Sequence, residues 1–462
     1  MSQQDGGSGV GVRGRRGYLA GVGAAASLAA AGCLGVGSST GSGGANQLGG
    51  NVTIDWWHAM GGNLGQTVNE LASEFSKQSD SVTVEPSYKG SYYETLNATT
   101  SAIKAGKPPT VAQIVDLGSR LAIDSGAFAT IEDVMGDTVD WSRYHDPVID
   151  YYTWNGKVQS LPFNSSNPIL YINTDAFEAA GLDPSNPPAN FAEVKRAARA
   201  LVDEGVTEKG ITFANVSWFP EQWFAEANET LVNHGNGRKD DPTEIHLDKP
   251  VASDIFSWWT EMYDEGLYLH AGKGGWGVAS QAFQNEKTGM YISSTAGVAG
   301  TTKGAAQNGF GLETAYYPVP ASTRTGVVIG GASLWMVDSV SDEKKRAATE
   351  FFNWLSEPEQ QAKWHRGTGY FPITKDAVTL LEKDGWFEKN PNFRTAFEQL
   401  DDTETTQATK GFQCGPSQKV RDIVSEAYIT MINSDRAVDD VLATAKGNAD
   451  DALQQYIESK GN

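Results

Sequence analysis

The sequence has little that could hold a metal ion, a disulfide framework or a nucleotide. It contains two cysteines, Cys33 and Cys414, and six scattered histidines, so neither a metal-ligand spacing nor a set of disulfides is indicated. The phosphate-binding motif G-x-x-x-x-G-K-[ST] is absent, and so are the catalytic motifs G-x-S-x-G and H-E-x-x-H. We therefore expect no metal, no cofactor and no ATP hydrolysis by this chain.

Positive charge is also scarce. The 57 acidic residues outnumber the 36 basic ones, which gives a formal net charge of −21 and a pI near 4.7. Such a surface repels nucleic acid and excludes it as a partner. The 13 tryptophans argue against a disordered chain. A folded chain of this acidity is typical of a halophile, in which surface charge maintains solubility in strong salt.

The apolar run 18–32 is shorter than the roughly 20 residues that span a bilayer. It follows Arg15–Arg16, a pairing typical of a twin-arginine export signal, which predicts export of a folded protein. The run ends in Leu28-Ala-Ala-Ala-Gly-Cys33, which resembles a lipobox and predicts a lipid anchor on Cys33 at the outer face of the cell membrane. An uncleaved membrane anchor is the alternative. Residues 34–50 are rich in glycine and serine and predict a flexible linker.

The remaining chain predicts an α/β fold. A buried strand at 52–57 precedes a helical pattern (Leu64, Val68, Leu71, Phe75) and a second strand near Val84, an order that favours a parallel sheet. About 410 residues exceed one typical core, so two lobes are expected. Ser356-Glu-Pro-Glu359 predicts a capping box that starts a helix, and 419–458 predicts amphipathic helices. The glycine-rich segment 272–277 is interpreted as a surface loop.

Several segments resemble the extracellular solute-binding proteins of ABC importers, and within that family its glycerol-phosphate-binding branch. The matching stretches occur in the family's order along 52–460: Trp57-His-Ala-Met-Gly-Gly-Asn-Leu-Gly65, Tyr88-Lys-Gly-Ser-Tyr92, Ala105-Gly-Lys-Pro-Pro109, Leu161-Pro-Phe-Asn-Ser-Ser-Asn-Pro168, Leu170-Tyr-Ile-Asn-Thr-Asp-Ala-Phe177, Ile329-Gly-Gly-Ala-Ser-Leu-Trp335 and Thr368-Gly-Tyr-Phe-Pro-Ile-Thr374.

The resemblance implies a two-lobed, periplasmic-binding-protein-like fold of type II, with a hinge and a ligand cleft between the lobes. It implies a first lobe of 51–165 and 297–337 and a second lobe of 168–290 and 340–460. The function implied is capture of a small molecule, a glycerol phosphate or a sugar, and its delivery to a membrane permease, with no chemistry performed by this chain.

The resemblance also implies a set of ligand contacts. Phosphate contacts fall to the Tyr92 and Tyr370 hydroxyls and to a backbone N–H of Gly330 or Gly331, where glycine lets backbone approach closely. Asp116 is implied as the acceptor of ligand hydroxyls. The other implied contacts are the serines Ser166 and Ser294 and a tryptophan, Trp218 or Trp223, stacked on the glycerol carbons.

One position departs from the family pattern. Gln413 stands in Lys410-Gly-Phe-Gln-Cys-Gly415, where the family has an arginine that clamps phosphate. A neutral amide cannot replace a bidentate guanidinium on a phosphate. We therefore expect weak binding of free glycerol-3-phosphate and a preference for a less charged relative, such as a glycerophosphodiester or a neutral polyol.

Two other functions remain open from the residues. Within the binding class, the ligand could be a neutral sugar or polyol. In another class, the abundant aromatic and carboxylate side chains would suit a surface enzyme acting on glycans, although no motif nominates its pair of carboxylates. Taken singly, each site residue named above also suits ordinary packing, capping or turn formation, and only their joint order favours a binding site.

Overall fold

The computed structural model describes residues 51–321 and 323–460. The predicted export signal, Cys33 and the linker 34–50 lie outside the described residues. The strands are β1 (Val52–His58), β2 (Val82–Tyr88), β3 (Val111–Val115), β4 (Thr153–Trp154), β5 (Lys157–Val158), β6 (Leu161–Ser166), β7 (Pro168–Asn173), β8 (Lys209–Asn215), β9 (Tyr268–Lys273), β10 (Thr288–Ser294), β11 (Leu312–Tyr316) and β12 (Gly330–Met336).

The helices surround these strands. They are α1 (Gly62–Gln78), α2 (Tyr92–Lys104), α3 (Ser119–Ser125), α4 (Ile131–Met135), α5 (Asp146–Tyr152), α6 (Thr174–Ala179), α7 (Phe191–Asp203), α8 (Trp218–Glu226), α9 (Asn233–Asn236), α10 (Pro250–Asp264), α11 (Trp276–Gln284), α12 (Val298–Asn308), α13 (Asp342–Leu355), α14 (Pro358–Thr368), α15 (Lys375–Lys383), α16 (Trp386–Lys389), α17 (Thr395–Asp401), α18 (Ser417–Ile432) and α19 (Val438–Lys460).

The fold is two-lobed and mixed α/β, as predicted, with one five-stranded sheet at the centre of each lobe. The first sheet has the order β2-β1-β3-β12-β6 and the second β11-β7-β10-β8-β9. The unit β1–α1–β2 is parallel, as the sequence indicates. Each sheet also contains an antiparallel strand next to parallel ones, β12 in the first and β7 in the second. Hydrophobic periodicity does not distinguish these strands, since their residues are buried on both faces.

The assignment of segments to the two lobes differs from the sequence-based boundaries. Residues 297–337 contribute one strand to each sheet, because β11 pairs with β7 in the second sheet and β12 with β3 in the first. Helix α13, expected in the second lobe, packs on β1 of the first: Phe351 contacts Trp56 with 5.4 Å between ring centroids. The chain therefore crosses between the sheets at Asn167 and again along 317–329.

One helix start differs from its sequence-based prediction. Helix α14 begins at Pro358 after Glu357, and no side chain caps it. The Ser356 hydroxyl instead donates to the carbonyl of Phe352 and accepts from Tyr144, both at 2.8 Å. The serine therefore closes helix α13 rather than opening α14. The predicted helices in 419–458 are confirmed as α18 and α19.

Helix α8 fixes the second crossing between the sheets. Its Gln222 makes paired hydrogen bonds to the backbone of Val328 at 2.8 and 2.9 Å. Its last residue, Glu226, is fully buried, accepts a hydrogen bond from the Gly326 N–H at 3.0 Å and pairs with Arg324. The crossover is thus held by the helix that also carries Trp218.

Glu226 predicts a pH dependence of stability. Burial raises the pKa of Glu226 to about 7, against the opposing pull of Arg324 and the backbone N–H groups. Because the folded state holds this proton more tightly than the unfolded state, stability falls as pH rises from about 4.5 to 7, by roughly 3 kcal/mol at 1.36 kcal/mol per pKa unit. Glu226→Gln should flatten urea-unfolding free energies between pH 5 and 8. The control Glu229→Gln, at a half-exposed glutamate three residues after the end of α8, should keep the wild-type slope; equal slopes in both variants would contradict the assignment.

Candidate functional site

A cavity of about 750 Å³ opens between the two sheets. The carboxyl ends of β3, β8, β9 and β10 lie at this cavity. Ligands bind at the carboxyl ends of the strands in open α/β sheets. The residues that line it are Tyr92, Tyr93, Val115, Asp116, Leu117, Ser166, Asn215, Val216, Ser217, Trp218, Lys273, Gly274, Trp276, Gly277, Ser280, Tyr291, Ser293, Ser294, Ala296, Gly297, Gly331, Tyr370, Gln418, Arg421, Asp422 and Ser425.

Most of the residues singled out from the sequence meet at this cavity. They come from both sheets and from distant parts of the chain: Tyr92, Asp116, Ser166, Trp218, Ser294, Gly331 and Tyr370. Trp218 is the tryptophan at the wall, whereas Trp223 is buried in the core and donates its Nε1–H to the carbonyl of Pro318. Their roles in binding remain predictions, but the fold brings these seven residues to one cavity.

Two of the nine predicted positions lie elsewhere among the described residues. A Cβ at Gly330 would meet the Trp218 ring at 2.7 Å, so this glycine lets the indole pack on the start of β12. Gln413 is buried beside Tyr152 and Trp335, and its N–H donates to the carbonyl of Asn236. The expectation that Gln413 faces the ligand is therefore corrected: local motif matching placed it there, and the path of the chain before α18 does not.

A cluster of neutral hydrogen-bond donors occupies the first-sheet side of the cavity. The capping box of Ser91 and Glu94 fixes the start of α2 and thereby places Tyr92. The Tyr92 hydroxyl accepts from Asn164 at 2.7 Å and lies 3.2 Å from the Tyr370 hydroxyl. Burial, together with the Tyr370 hydroxyl, raises the pKa of Tyr92 well above its ordinary value. Both tyrosines therefore stay protonated and can donate to a ligand oxygen.

A buried ion triad forms the floor of the cavity. Arg421, on α18, makes two parallel hydrogen bonds to Glu221, Nε to Oε1 at 2.8 Å and Nη2 to Oε2 at 2.6 Å. Its Nη1 lies 3.5 Å from Oδ1 of Asp116. Burial acts to lower the pKa of Arg421, but Glu221 and Asp116 outweigh it and hold that pKa well above its usual range. The arginine is thus a permanent cation.

Asp116 keeps capacity to bind a ligand hydroxyl. Its carboxylate accepts the Leu117 N–H at 2.6 Å, and it lies at the end of β3, buried but lining the cavity. Burial raises the pKa of Asp116, and Glu221 adds to this, whereas Arg421 acts to lower it. An ionised carboxylate is an acceptor only, so hydroxyl donors suit it.

An aromatic wall lies on the second-sheet side. The rings of Trp218 and Trp276 are 6.0 Å apart at 49°, and Trp276 is 37% exposed, which leaves a face for the apolar side of a sugar or glycerol. Trp276 begins α11 and lies within the glycine-rich segment 272–277. That segment connects β9 to α11 and is mostly exposed, as predicted, but its residues also line the cavity.

Serine and backbone groups complete this side. Ser293 accepts a hydrogen bond from the Tyr291 hydroxyl at 2.8 Å. Ser294 caps the 3₁₀ turn Thr295–Gly297, which leads into α12. Helix starts present free N–H groups and the positive end of the helix dipole, a setting that favours ligand oxygens.

The remaining features exclude other kinds of site within the described part of the chain. Among residues 51–321 and 323–460, no group of three or more His, Cys, Asp or Glu residues is arranged to hold a metal ion. In the same residues, no helix has both the length and the apolar character to cross a membrane. Cys414 is buried and has no disulfide partner there.

The sequence matches a family model of bacterial extracellular solute-binding proteins over residues 70–395, and the chain belongs to that family. It is 32% identical over 404 residues to the sn-glycerol-3-phosphate-binding periplasmic protein UgpB of Rhizobium meliloti, covering 86% of this chain and 93% of the relative. The UgpB protein of Escherichia coli K12 is 30% identical over 415 residues, covering 88% and 94%. Members of this family bind small molecules outside the cytoplasm and work with ABC permease components.

Solved structures share the fold. UgpB from Mycobacterium tuberculosis, in complex with glycerophosphocholine, superposes with a TM-score of 0.72 at 22% identity, covering 88% of this chain and all of that one. The GacH receptor of Streptomyces glaucescens, solved unliganded and with acarbose, gives 0.73 at 16% identity, covering 87% and 98%. At these identities the likeness shows the architecture alone.

Sequence reasoning missed several residues of the cavity. The most consequential is Arg421, whose partner Glu221 lies 200 residues earlier in the chain and does not itself line the cavity. Arg421 stands between Val420 and Asp422 of α18, and neighbouring charges on a helix are usually solvated. No local signal marks its inward orientation, since only the packing of α18 against the turn Asp116–Gly118 and its ion pair to α8 bring its two carboxylate partners together.

Proposed function

We propose that this protein captures glycerol-3-phosphate or a glycerophosphodiester in the cavity between its sheets and delivers it to a membrane permease. The observation that carries the proposal is that neutral donors, Tyr92, Tyr370 and Ser166, line the same cavity as the carboxylate of Asp116. Donors of this kind suit phosphate oxygens, and the carboxylate suits the glycerol hydroxyls. The names of the relatives at 30–32% identity support the same ligand class.

The individual roles follow from this arrangement. The Gly331 N–H joins the two tyrosines and Ser166 on the phosphate. Trp218 packs on the glycerol carbons, and Ser294 approaches from the second sheet. The lobes close about the crossings at Asn167 and 317–329, because the ligand contacts both sheets fully only when they approach each other.

Ligand binding should stabilise the fold and compact it. At a ligand concentration of 100 times the dissociation constant, the free energy of unfolding rises by about 2.7 kcal/mol. A melting screen in high salt should show this as an upward shift of Tm with a glycerol phosphate or its diester, and small-angle scattering should show a smaller radius of gyration. A higher Tm at an unchanged radius would argue against closure of the cleft.

A neutral sugar or polyol is the second candidate ligand. The exposed face of Trp276 beside Trp218 offers a stacking surface for a sugar ring. The same melting screen, run with oligosaccharides and polyols, separates the two ligand classes. A glycan-active surface enzyme would instead release product from these compounds, and incubation followed by product analysis tests that alternative.

The protein is proposed to act at the outer face of the membrane, anchored through Cys33. This rests on the lipobox at 28–33 and the twin-arginine pattern before it. Cys33→Ser should release the protein into the medium or leave an uncleaved precursor. A variant of mature length that stays attached to the membrane without lipid would contradict the anchor, and Cys414→Ser is the matched control that should keep wild-type localisation.

A further inference from the structure

Every cation that lines the cavity is already paired, within the described residues. The two are Arg421 and Lys273. Lys273 lies at the half-exposed rim, 3.3 Å from Asp422 and 2.7 Å from Glu426. Arg421 lies at the buried floor between Glu221 and Asp116. Each cation is therefore shared between two carboxylates, and each group carries a formal charge of −1 when all its members are ionised.

Among these carboxylates, Glu221 has the largest effect on the positive charge that Arg421 can offer a ligand. It occupies the fork of Arg421 with both oxygens, which is the geometry in which a guanidinium would otherwise hold a phosphate. A further hydrogen bond, from the Ser217 hydroxyl to Oε1 at 2.5 Å, fixes the carboxylate in place. A ligand phosphate therefore cannot take both of these N–H groups unless it displaces a buried, fully hydrogen-bonded carboxylate.

We infer that Glu221 is a specificity-determining residue that makes this cavity prefer a phosphodiester, with one negative charge, over a phosphomonoester dianion. The inference rests on the proposed function, and it deepens that function by naming the charge of the ligand. Gln413 has no part in this preference, because it lies away from the cavity.

The physical reason is the cost of desolvating charge. The donors left for a phosphate, the Tyr92, Tyr370 and Ser166 hydroxyls and the Gly331 N–H, are neutral. A second negative charge loses more hydration on entering the cavity and gains no unpaired cation in return. The second negative charge of the ligand also approaches the triad of Arg421, Glu221 and Asp116, in which two carboxylates share one cation. Strong salt screens more distant charges over about 3 Å at 1 M, so lysines elsewhere on the surface cannot compensate.

The first test compares two ligands that differ in this charge and in one methyl group, sn-glycerol-3-phosphate and its phosphate methyl ester. The monoester loses its second proton near pH 6, as phosphate monoesters do, whereas the methyl ester keeps one charge throughout. Calorimetry on the wild-type protein should find the monoester at least about tenfold weaker than the methyl ester at pH 8. Between pH 8 and pH 5 that ratio should fall several-fold.

The methyl ester is the internal control for titration of the protein. The ionisable groups that line the cavity come from several elements: Tyr92 and Tyr93 of α2, Asp116, Lys273 of β9, Tyr291 of β10, Tyr370, and Arg421 and Asp422 of α18. Glu221 of α8 acts on the ligand through its ion pair with Arg421. Any change in their charge acts on both ligands, whereas the charge of the ligand itself changes only for the monoester. A ratio that is constant with pH would overturn the inference.

The second test is Glu221→Gln, which keeps the side-chain shape and frees Arg421 of its bidentate partner. Binding of the monoester at pH 8 should tighten about tenfold, and the ratio to the methyl ester should approach one. The matched control is Glu426→Gln, which removes a carboxylate from Lys273 at the half-exposed rim, at a position that does not line the cavity, while Asp422 stays in place. It should change the ratio less than about twofold.

The outcomes separate the inference from the proposed function. If the wild type binds the dianion as tightly as the methyl ester and Glu221→Gln leaves the ratio unchanged, the inference is wrong and the proposed function stands. If neither ligand binds at any pH, the proposed function itself fails. If Glu221→Gln does not fold, the pH series on the wild-type protein decides alone.

Discussion

Replacing Arg421 by glutamine should destabilise the fold by about 3–5 kcal/mol, the cost of breaking a buried ion pair by removing one partner. The side chain is 15% exposed, and the two carboxylates that it holds are 4% and 8% exposed. Without it, Asp116 and Glu221 would be two largely buried carboxylates with no cation between them. Urea unfolding at neutral pH, with Glu221→Gln and Asp116→Asn as single and double variants, measures the coupling.

The loss in Arg421→Gln should depend on pH in a defined direction. Burial already raises the pKa of Asp116 above its ordinary value, and Arg421 acts against this rise. Removing the arginine raises that pKa further, so the folded state binds protons more tightly than the unfolded state. The loss of stability relative to the wild type should therefore shrink as pH is lowered from 7.5 to 5.

The matched control is Arg196→Gln. Arg196 is 71% exposed and lies 3.7 Å from Glu193 on the surface of α7. Pairs of this kind contribute less than about 1 kcal/mol, so the control should unfold almost as the wild type does. A loss below about 1 kcal/mol in Arg421→Gln as well would mean that the triad is solvated in solution and contradict its burial.

Gly331→Ala should cost about 3 kcal/mol or more and weaken ligand binding. Gly331 has φ of +111°, a conformation that L side chains rarely adopt, and a Cβ there would lie 1.9 Å from the carbonyl oxygen of Asn164. Backbone strain and overpacking each cost about 1–3 kcal/mol. The clash would displace β6 from β12 and move Asn164 away from the Tyr92 hydroxyl that it orients.

The control for this glycine is Gly309→Ala. Gly309 closes α12 in the left-handed conformation with φ of +84°, and a Cβ added there would meet no other atom within 4 Å. Strain without a clash should cost about 1–2 kcal/mol. Thermal melts and calorimetry on both variants distinguish the two effects: equal losses in stability, or unchanged ligand affinity in Gly331→Ala, would show that the close approach to Asn164 is relaxed in solution.

The tyrosine cluster shows how much of the site a sequence can disclose. Tyr92 follows Ser91, a residue that caps helices, and Tyr370 lies in a short segment that resembles the family. Both tyrosines lie at the cavity, as the resemblance implies. The conformation of a short segment depends mainly on its local sequence, so segments that resemble the family are placed correctly. Their hydrogen bonds to each other and to Asn164 are not predictable from sequence, since contacts between residues far apart in the chain are set by the packing of sheets.

The errors in the sequence-based predictions also come from contacts between residues far apart in the chain. Gln413 and Arg421 lie in the same region before and within α18, and motif matching favours the first over the second. The cavity-lining position of the glycine-rich segment 272–277 was missed because the strand that leads into it, β9, was not predicted. Strand β11 was assigned to the wrong lobe because its partner β7 lies more than 130 residues earlier.

The sequence by itself determined what depends on local order and on composition. Strand and helix periods predicted an α/β chain, and its length predicted two lobes. The acidic excess argued against nucleic acid as a partner, and segments that resemble the family, such as Phe163-Asn-Ser-Ser166, indicated a binding protein. Only the tertiary structure decided which groups share the cavity and what charge they leave there. The charge of a buried site is a sum over side chains brought together from the whole chain, and Glu221, Arg421 and Asp116 are neighbours only after both sheets have formed.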